Sequence, residues 1–201
     1  MIKVEGLRKS FRGQQVLRGV DLEVPTGSIT VIIGRSGGGK SVFLKHLIGL
    51  LRPDSGRLEV AGVDLSRLSG RALDEVRKRY GVVFQGGALF DSMTCRENVA
   101  FPLREKLRLP APEIVFFDEP TTGLDPVLVN AIHRLIRELH RASRFTAVIV
   151  SHEIPEIFEI ADRVGMLHEG RIVEIGPPEV IQNSKNPIVQ QFIRGEPDPQ
   201  A

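Results

Sequence analysis

One eight-residue stretch constrains the fold of this 201-residue chain more than any other feature. It consists of Gly34, Arg35, Ser36, Gly37, Gly38, Gly39, Lys40 and Ser41, and it fits the phosphate-binding pattern G-x-x-x-x-G-K-[ST]. An apolar, β-branched run at 28–33 precedes it, and a segment with apolar residues along one side, 42–50, follows it. The pattern predicts a buried strand, a glycine-rich loop and a helix.

This order of elements makes the loop a predicted nucleotide site. Glycines let the backbone approach a ligand closely, and the N–H groups at the helix N-terminus point toward bound phosphates. Lys40 is expected to reach the β- and γ-phosphates, and the Ser41 hydroxyl is expected to ligate Mg²⁺. The alternative, a glycine-rich turn that binds nothing, is disfavoured by the strand and the helix on either side.

The composition indicates an ordinary globular domain. Hydrophobic residues make up 41% of the chain and charged residues 26%, and the net charge of +2 gives no reason to expect broad nucleic-acid binding. The single cysteine, Cys95, excludes an internal disulfide and fits a reducing cytosol. We find neither a membrane-spanning apolar run nor the apolar core of a signal peptide.

Strand and helix patterns alternate along the chain, which predicts an α/β fold. Predicted strands cover 2–7, 20–24, 28–33, 57–60, 81–84, 114–119 and 145–150, and predicted helices cover 71–79, 97–107 and 127–142. A hairpin is expected to join 164–167 to 171–174. Short helices and a polar tail end the chain.

Two acids end the strand predicted at 114–119. A carboxylate at the carboxyl end of a parallel strand faces the edge where α/β sheets bind ligands. Asp118 is therefore expected to hold Mg²⁺ through water, and Glu119 to polarise an attacking water as general base.

Three further candidates are ambiguous when each is taken alone. Phe11, in a polar stretch between the first two predicted strands, either stacks on an adenine ring or is an ordinary core or loop aromatic. Gln85, after a strand, either caps that strand or ligates Mg²⁺ or water. His152 follows the strand at 145–150, with Ser151 predicted to be a helix N-cap, and is either structural or catalytic.

In their order along the chain, these residues resemble the motifs of ABC transporter nucleotide-binding domains. The matching segments are Phe11, residues 34–41, Gln85, residues 117–120, residues 123–125 and residues 151–152. The resemblance implies a single P-loop NTPase domain over 1–201, with an antiparallel β subdomain and a shortened helical subdomain. It also implies ATP and Mg²⁺ as ligands.

The resemblance assigns a role to each ambiguous residue. It implies that Phe11 stacks on adenine, that His152 senses the γ-phosphate, and that Gln85 links water, metal and a membrane subunit. Glu119 is then the catalytic base, and Asp125 acts across a dimer interface.

A narrower resemblance involves the segment after Gln85. Residues 84–94 and 97–105 are similar to the ATPases of Mla-type (maintenance of lipid asymmetry) lipid transporters. This likeness implies a polytopic membrane permease, a second nucleotide-binding domain and accessory subunits as partners, with phospholipid or another hydrophobic cargo. The chain would then lie in the cytoplasm, on the inner face of the cell membrane.

One family feature is missing from the sequence. ABC domains carry a Leu-Ser-Gly-Gly-Gln-like signature between the positions that correspond to Gln85 and Asp118. In this chain these two residues are only 33 positions apart, and no such motif lies between them. The helical subdomain is therefore expected to be truncated between about 108 and 113. Because the signature of one domain closes the ATP site of its partner, we expect nucleotide binding with slow or absent hydrolysis by a homodimer.

Three functions follow from this sequence. The first is the energising subunit of a lipid transporter, and the second is a non-catalytic nucleotide-binding module. The third, a soluble ABC ATPase that acts on nucleic acid or ribosomes, is disfavoured by the near-neutral charge.

Overall fold

The computed structural model describes residues 1–84 and 112–196, which form two β-sheets with helices packed against them. The strands are β1 (Ile2–Phe11), β2 (Gln14–Val24), β3 (Ile29–Ile33), β4 (Ser55–Val60), β5 (Val63–Asp64), β6 (Tyr80–Val83), β7 (Ile114–Asp118), β8 (Thr146–Ser151), β9 (Arg163–His168) and β10 (Arg171–Gly176). The helices are α1 (Lys40–Leu47), α2 (Gly70–Arg77), α3 (Pro126–Ser143), α4 (Pro178–Gln182) and α5 (Pro187–Ile193), and 3-10 turns cover Leu65–Arg67 and Glu156–Glu159.

The two sheets differ in strand direction. The smaller sheet has the order β2-β1-β4-β5 and is antiparallel, whereas the larger sheet has the order β10-β9-β3-β8-β7-β6. Among the described strands of the larger sheet, only the β9–β10 pair is antiparallel. The α/β fold with an antiparallel subdomain is therefore confirmed.

Alternation along the central strands divides the core into two halves. On β3, Ile32 belongs to the half that contains Phe43 of α1 and the smaller sheet, while Val31 belongs to the half that contains Ile136 of α3. Successive strand residues point to opposite faces, so a strand buried on both faces is apolar throughout. All five residues of β3 are indeed buried.

The first hairpin is longer than the apolar pattern predicts. Strand β1 continues through polar residues to Phe11, which pairs with Gln14 across a two-residue turn. Both turn residues, Arg12 and Gly13, have left-handed backbones with φ of 49° and 85°. This is the turn geometry that suits a tight hairpin. Phe11 thus ends a strand instead of lying in a loop.

The prediction that Ser151 caps a helix was wrong. Ser151 is the last residue of β8 and pairs with Ile33, and the next element is the 3-10 turn Glu156–Glu159. The first bond of a helix capped by Ser151 would need a backbone N–H from Pro155, and proline has none. The Ser151 hydroxyl instead accepts a hydrogen bond from the Glu153 N–H at 3.0 Å.

Several predictions concern residues outside the described ranges. These are Gln85, Cys95, the helix at 97–107, the Mla-like segment and most of the truncated region. Within residues 1–84 and 112–196, no helix has both the length and the apolar character needed to span a membrane.

Candidate nucleotide-binding site

The carboxyl ends of three neighbouring parallel strands build the candidate site. Strand β3 leads into the glycine-rich loop, β7 ends at Asp118, and β8 ends one residue before His152. Ile33 is in register with Ser151, and Asp118 with Val150. The same sheet edge therefore carries five predicted site residues, which are Lys40, Ser41, Asp118, Glu119 and His152.

The loop at 34–41 can form only with glycine at certain positions. A Cβ on Gly34 would lie 2.3 Å from the carbonyl oxygen of Leu167, which is too close for any side chain. Gly37 and Gly39 have left-handed backbones with φ of 75° and 97°, and Gly39 precedes the first turn of α1. The result is a tight backbone cradle at a helix N-terminus, which fits a phosphate group.

The Lys40 ammonium lies inside this cradle. It is 3% exposed and donates hydrogen bonds to the carbonyls of Gly34 at 2.8 Å and Arg35 at 3.0 Å. Its nitrogen lies 3.4 Å from a carboxylate oxygen of Glu119. Burial lowers the pKa of Lys40, and the carboxylates of Glu119 and Asp118 oppose that change. The cation is thus held by groups that a phosphate could replace.

Ser41 and Asp118 form the predicted metal-binding pair. The Ser41 hydroxyl donates to Oδ1 of Asp118 at 2.8 Å, and Asp118 is 5% exposed. A hydroxyl and a carboxylate next to a phosphate cradle are the oxygen ligands that Mg²⁺ takes in nucleotide sites. These residues fit a magnesium-bound nucleotide.

Glu119 is held by several neighbours in an unusual conformation. Its backbone has φ of 47°, which residues other than glycine rarely adopt. Its N–H donates to the carbonyl of Val150 at 2.9 Å. Thr122 donates to Oε2 of Glu119 at 3.2 Å, and Nδ1 of His152 lies 3.2 Å from the same oxygen. This places His152 in the site, next to the predicted catalytic base.

Thr122 was missed by the sequence argument. It lies three residues after Glu119, in the turn where the Thr122 N–H also donates to the Glu119 carbonyl at 3.3 Å. A threonine in a short loop directly after two acids was the only available signal. A contact between Arg35 and Glu196 was also missed, since no local pattern relates residues so far apart.

Asp125 has a structural role that was not predicted. Its carboxylate caps α3 by accepting hydrogen bonds from the N–H groups of Val127 at 2.9 Å and Leu128 at 3.0 Å. Its proposed action across a dimer interface stays a prediction. So does the stacking role of Phe11, whose side chain is 41% exposed with the Lys9 ammonium 5.5 Å from the ring centre.

The site therefore has the arrangement of a P-loop nucleotide-binding domain, and comparisons with known proteins identify the class more closely. A family model described as "ABC transporter" matches residues 17–144. The chain is 37% identical to the probable ribonucleotide transport ATP-binding protein mkl of Mycobacterium leprae, with 96% of this chain and 69% of that protein aligned. It is 34% identical to the intermembrane phospholipid transport system ATP-binding protein MlaF of Escherichia coli K12, with 89% of this chain and 83% of that protein aligned.

Solved structures show the same fold. The ATP-binding cassette MJ0796, a dimer bound to ADP and Pi, superposes with a TM-score of 0.75 at 23% identity over 89% of this chain and 99% of that one. The protein cbiO1 of Clostridium perfringens, part of the ABC transporter complex cbiONQ, superposes with a TM-score of 0.75 at 25% identity. The superposition covers 96% of this chain and 94% of that one. The chain belongs to the ABC transporter family, as an ATP-binding subunit.

The alignments also reveal a difference in length. The alignment with mkl runs over 238 positions, whereas 96% of this 201-residue chain is about 193 residues. About 45 positions of that relative therefore have no counterpart here. The alignment with MlaF runs over 223 positions and includes 89% of this chain, so a similar number of MlaF positions has no counterpart here.

The close approach of Gly34 to Leu167 can be tested by substitution. Gly34→Ala should lower the free energy of unfolding by about 3 kcal/mol, because the new methyl group forces the loop or β9 to move. Gly37→Ala is the matched control. No atom of residues 1–84 and 112–196 lies within 4 Å of its added Cβ, so among these residues only the left-handed backbone is penalised, by about 1 kcal/mol. Equal losses in urea unfolding would contradict the steric account.

Proposed function

We propose that this chain is the ATP-binding subunit of a membrane transporter for phospholipid or another hydrophobic cargo. The observation that most directly supports the ATP-binding role is that side chains of the glycine-rich loop contact side chains at the end of β7, which in turn contact His152 after β8. Lys40 contacts Glu119 at 3.4 Å, Ser41 contacts Asp118 at 2.8 Å, and His152 contacts Glu119 at 3.2 Å. The glycine-rich loop, the two acids that end β7 and the histidine that follows β8 therefore lie together, which supports the proposed nucleotide site.

Lys40 supplies the positive charge for phosphate binding. Its ammonium donates to two loop carbonyls and lies 3.4 Å from a carboxylate oxygen of Glu119. A phosphate oxygen is a stronger acceptor than a carbonyl, because the hydrogen bond is then charge-assisted on both sides. On nucleotide binding, Lys40 exchanges these contacts for the phosphates and leaves the Glu119 carboxylate free to act on water.

Glu119 is proposed as the general base. A carboxylate that is about 10% exposed and fixed by Thr122, His152 and its own N–H holds its position without further reorganisation. His152 contacts the same carboxylate oxygen, so a movement of His152 in response to the γ-phosphate would change the position of the base. Mg²⁺, when bound at Ser41 and Asp118, supplies neutralisation of the charge that develops on the phosphate oxygens.

The proposed cargo and partners depend on similarity. The relatives' names include a phospholipid and a ribonucleotide transport protein. We favour a lipid because residues 84–94 and 97–105 resemble the Mla type, in which this segment docks on the membrane subunit. The proposal includes a permease, a second nucleotide-binding domain and a location on the cytoplasmic face of the membrane, without a nucleic-acid ligand.

A second candidate is supported by the shortened sequence. If most of the 45 or so unmatched positions belong between about 108 and 113, the chain lacks the signature helix that closes a partner's site. It would then bind Mg·ATP but not hydrolyse it as a homodimer. In this case the chain is a nucleotide-binding module that engages a permease, or it relies on a partner whose signature is intact.

The metal-binding pair gives a direct test of nucleotide binding. Mg²⁺ should tighten ATP binding to the parent chain, and Ser41→Ala should remove most of that gain, about tenfold in Kd, because one metal ligand is lost. Ser41→Thr is the matched control and should keep the gain, because it retains the hydroxyl. The measurement is calorimetric titration with and without Mg²⁺. A full magnesium effect in Ser41→Ala would rule out the assigned metal site.

The transporter role is tested by isolating the chain from membranes of its source cells. A polytopic membrane protein with bound phospholipid is expected to co-purify at a fixed ratio, since the chain is proposed to work only through such a partner. Co-purification with ribosomes or nucleic acid would favour the soluble ATPase instead. A permease that carries nucleotides rather than lipid would leave the subunit assignment intact but refute the cargo.

A further inference from the structure

The end of the described chain folds back onto the glycine-rich loop. Helix α5 stops at Ile193, and the N–H of Gly195 donates to the carbonyl of Phe192 at 3.1 Å. The Glu196 N–H donates to the carbonyl of Gln191 at 3.0 Å, and Gly195 has a left-handed φ of 67°. These contacts form a helix-terminating turn of the kind that favours glycine. We call residues 194–196 the C-terminal turn.

This turn contacts the loop through Arg35. The Arg35 guanidinium donates from Nη2 to the backbone carbonyl of Glu196 at 2.8 Å. The backbone carbonyl of the same Arg35 accepts a hydrogen bond from Lys40 at 3.0 Å. Arg35 therefore lies between the C-terminal turn and the cation that is proposed to bind phosphate.

The contact lies at the end of the site that carries the proposed catalytic base. Arg35, His152 and Arg194 line one cavity of about 410 Å³, together with apolar side chains from Ile154 and the end of α5. Nδ1 of His152 also lies 3.2 Å from Glu119. Because Glu119 and His152 are proposed to act at the terminal phosphate, the cavity that Arg35 lines adjoins the end of the site where ATP differs from ADP.

The C-terminal turn is anchored well enough to hold Arg35. Val189 of α5 is fully buried in the core half that contains α3, and Phe192 packs against the same cluster. Asn186 caps α5 by accepting from the N–H of Ile188 at 3.0 Å. The Glu196 carbonyl thus lies in a turn that directly follows a packed helix.

We propose that the C-terminal turn controls the preference of the site for ATP over ADP by holding the Arg35 guanidinium away from the terminal phosphate. This inference rests on the proposed nucleotide binding. A guanidinium binds a phosphate more strongly than it binds a neutral carbonyl, and it gains more from the extra charge of a triphosphate. Release of Arg35 from Glu196 therefore strengthens ATP binding more than ADP binding. Any partner that pulls on the chain after α5 would have the same effect.

The test is a pair of substitutions at Gly195. Gly195→Val disfavours the left-handed backbone and should displace the Glu196 carbonyl, whereas Gly195→Asn tolerates that backbone and should preserve the turn. No atom lies within 4 Å of a Cβ at this position, so neither side chain is excluded by the described neighbours at its first atom. The Kd values for Mg·ATP and Mg·ADP are measured by calorimetry for both variants and the parent chain.

The expected result is a change in selectivity. Gly195→Val should raise the ratio of the ADP Kd to the ATP Kd roughly fivefold, the size of a partly exposed charge-assisted hydrogen bond, and Gly195→Asn should leave it within twofold of the parent. In a chain that also carries Arg35→Gln, Gly195→Val should produce no such rise. A chain that ends at Arg194, and so lacks the Glu196 carbonyl, should reproduce the effect of Gly195→Val.

The outcomes separate this inference from the proposed function. If the parent binds nucleotide and both Gly195→Val and the shortened chain leave the ratio unchanged or lower it, the role of the C-terminal turn is refuted while the nucleotide site stands. A rise that persists with Arg35→Gln also refutes it, since another group must then be responsible. If the parent binds neither nucleotide, both proposals fail. Thermal unfolding of each variant identifies any that fails to fold. If either Gly195→Val or the chain that ends at Arg194 fails to fold, the other one decides the test.

Discussion

The hydrogen bond between Ser41 and Asp118 depends on the parallel packing of β3, β8 and β7, and the rest of the site depends on the same constraint. Parallel strands bring their carboxyl ends to one edge of a sheet, so segments that are far apart in sequence meet there. The glycine-rich loop, the two acids and His152 each follow one of these strands. A shift of one residue in register would turn Asp118 toward the opposite face of the sheet.

Much of this arrangement was predictable because the signals are local. The apolar runs of β3, β7 and β8 predict the strands of this sheet edge, and this part of the prediction is confirmed. The pattern at 34–41 predicts the loop that follows β3, whose binding of phosphate stays a prediction. Other features depend on partners that a local pattern does not reveal. The extension of β1 to Phe11 comes from pairing with β2. The failure of the Ser151 cap is different, because Pro155 lies only four residues further on and was a local signal that the prediction overlooked. The Arg35–Glu196 contact joins residues 161 positions apart.

The polar groups of the site are paired with one another. Lys40 is bound by carbonyls and by Glu119, Ser41 by Asp118, and Arg35 by Glu196. Nucleotide binding must therefore exchange hydrogen bonds rather than simply add them, which limits the net gain in free energy. In our account this half-site is complete for binding, and the residues that close it over the terminal phosphate must come from elsewhere. We propose that an identical partner does not provide them, because the spacing between Gln85 and Asp118 is short and holds no signature motif.

ATP turnover, measured with Mg²⁺ at saturating nucleotide, tests this central claim most directly. The unmodified chain is compared with a chain in which the signature-bearing segment of a relative replaces residues 109–112. Our account predicts that the unmodified chain binds ATP with negligible turnover, that the lengthened chain hydrolyses it, and that Glu119→Gln abolishes the gained activity. Turnover by the unmodified chain at the rate of the lengthened one, with the same dependence on Glu119, would contradict the account.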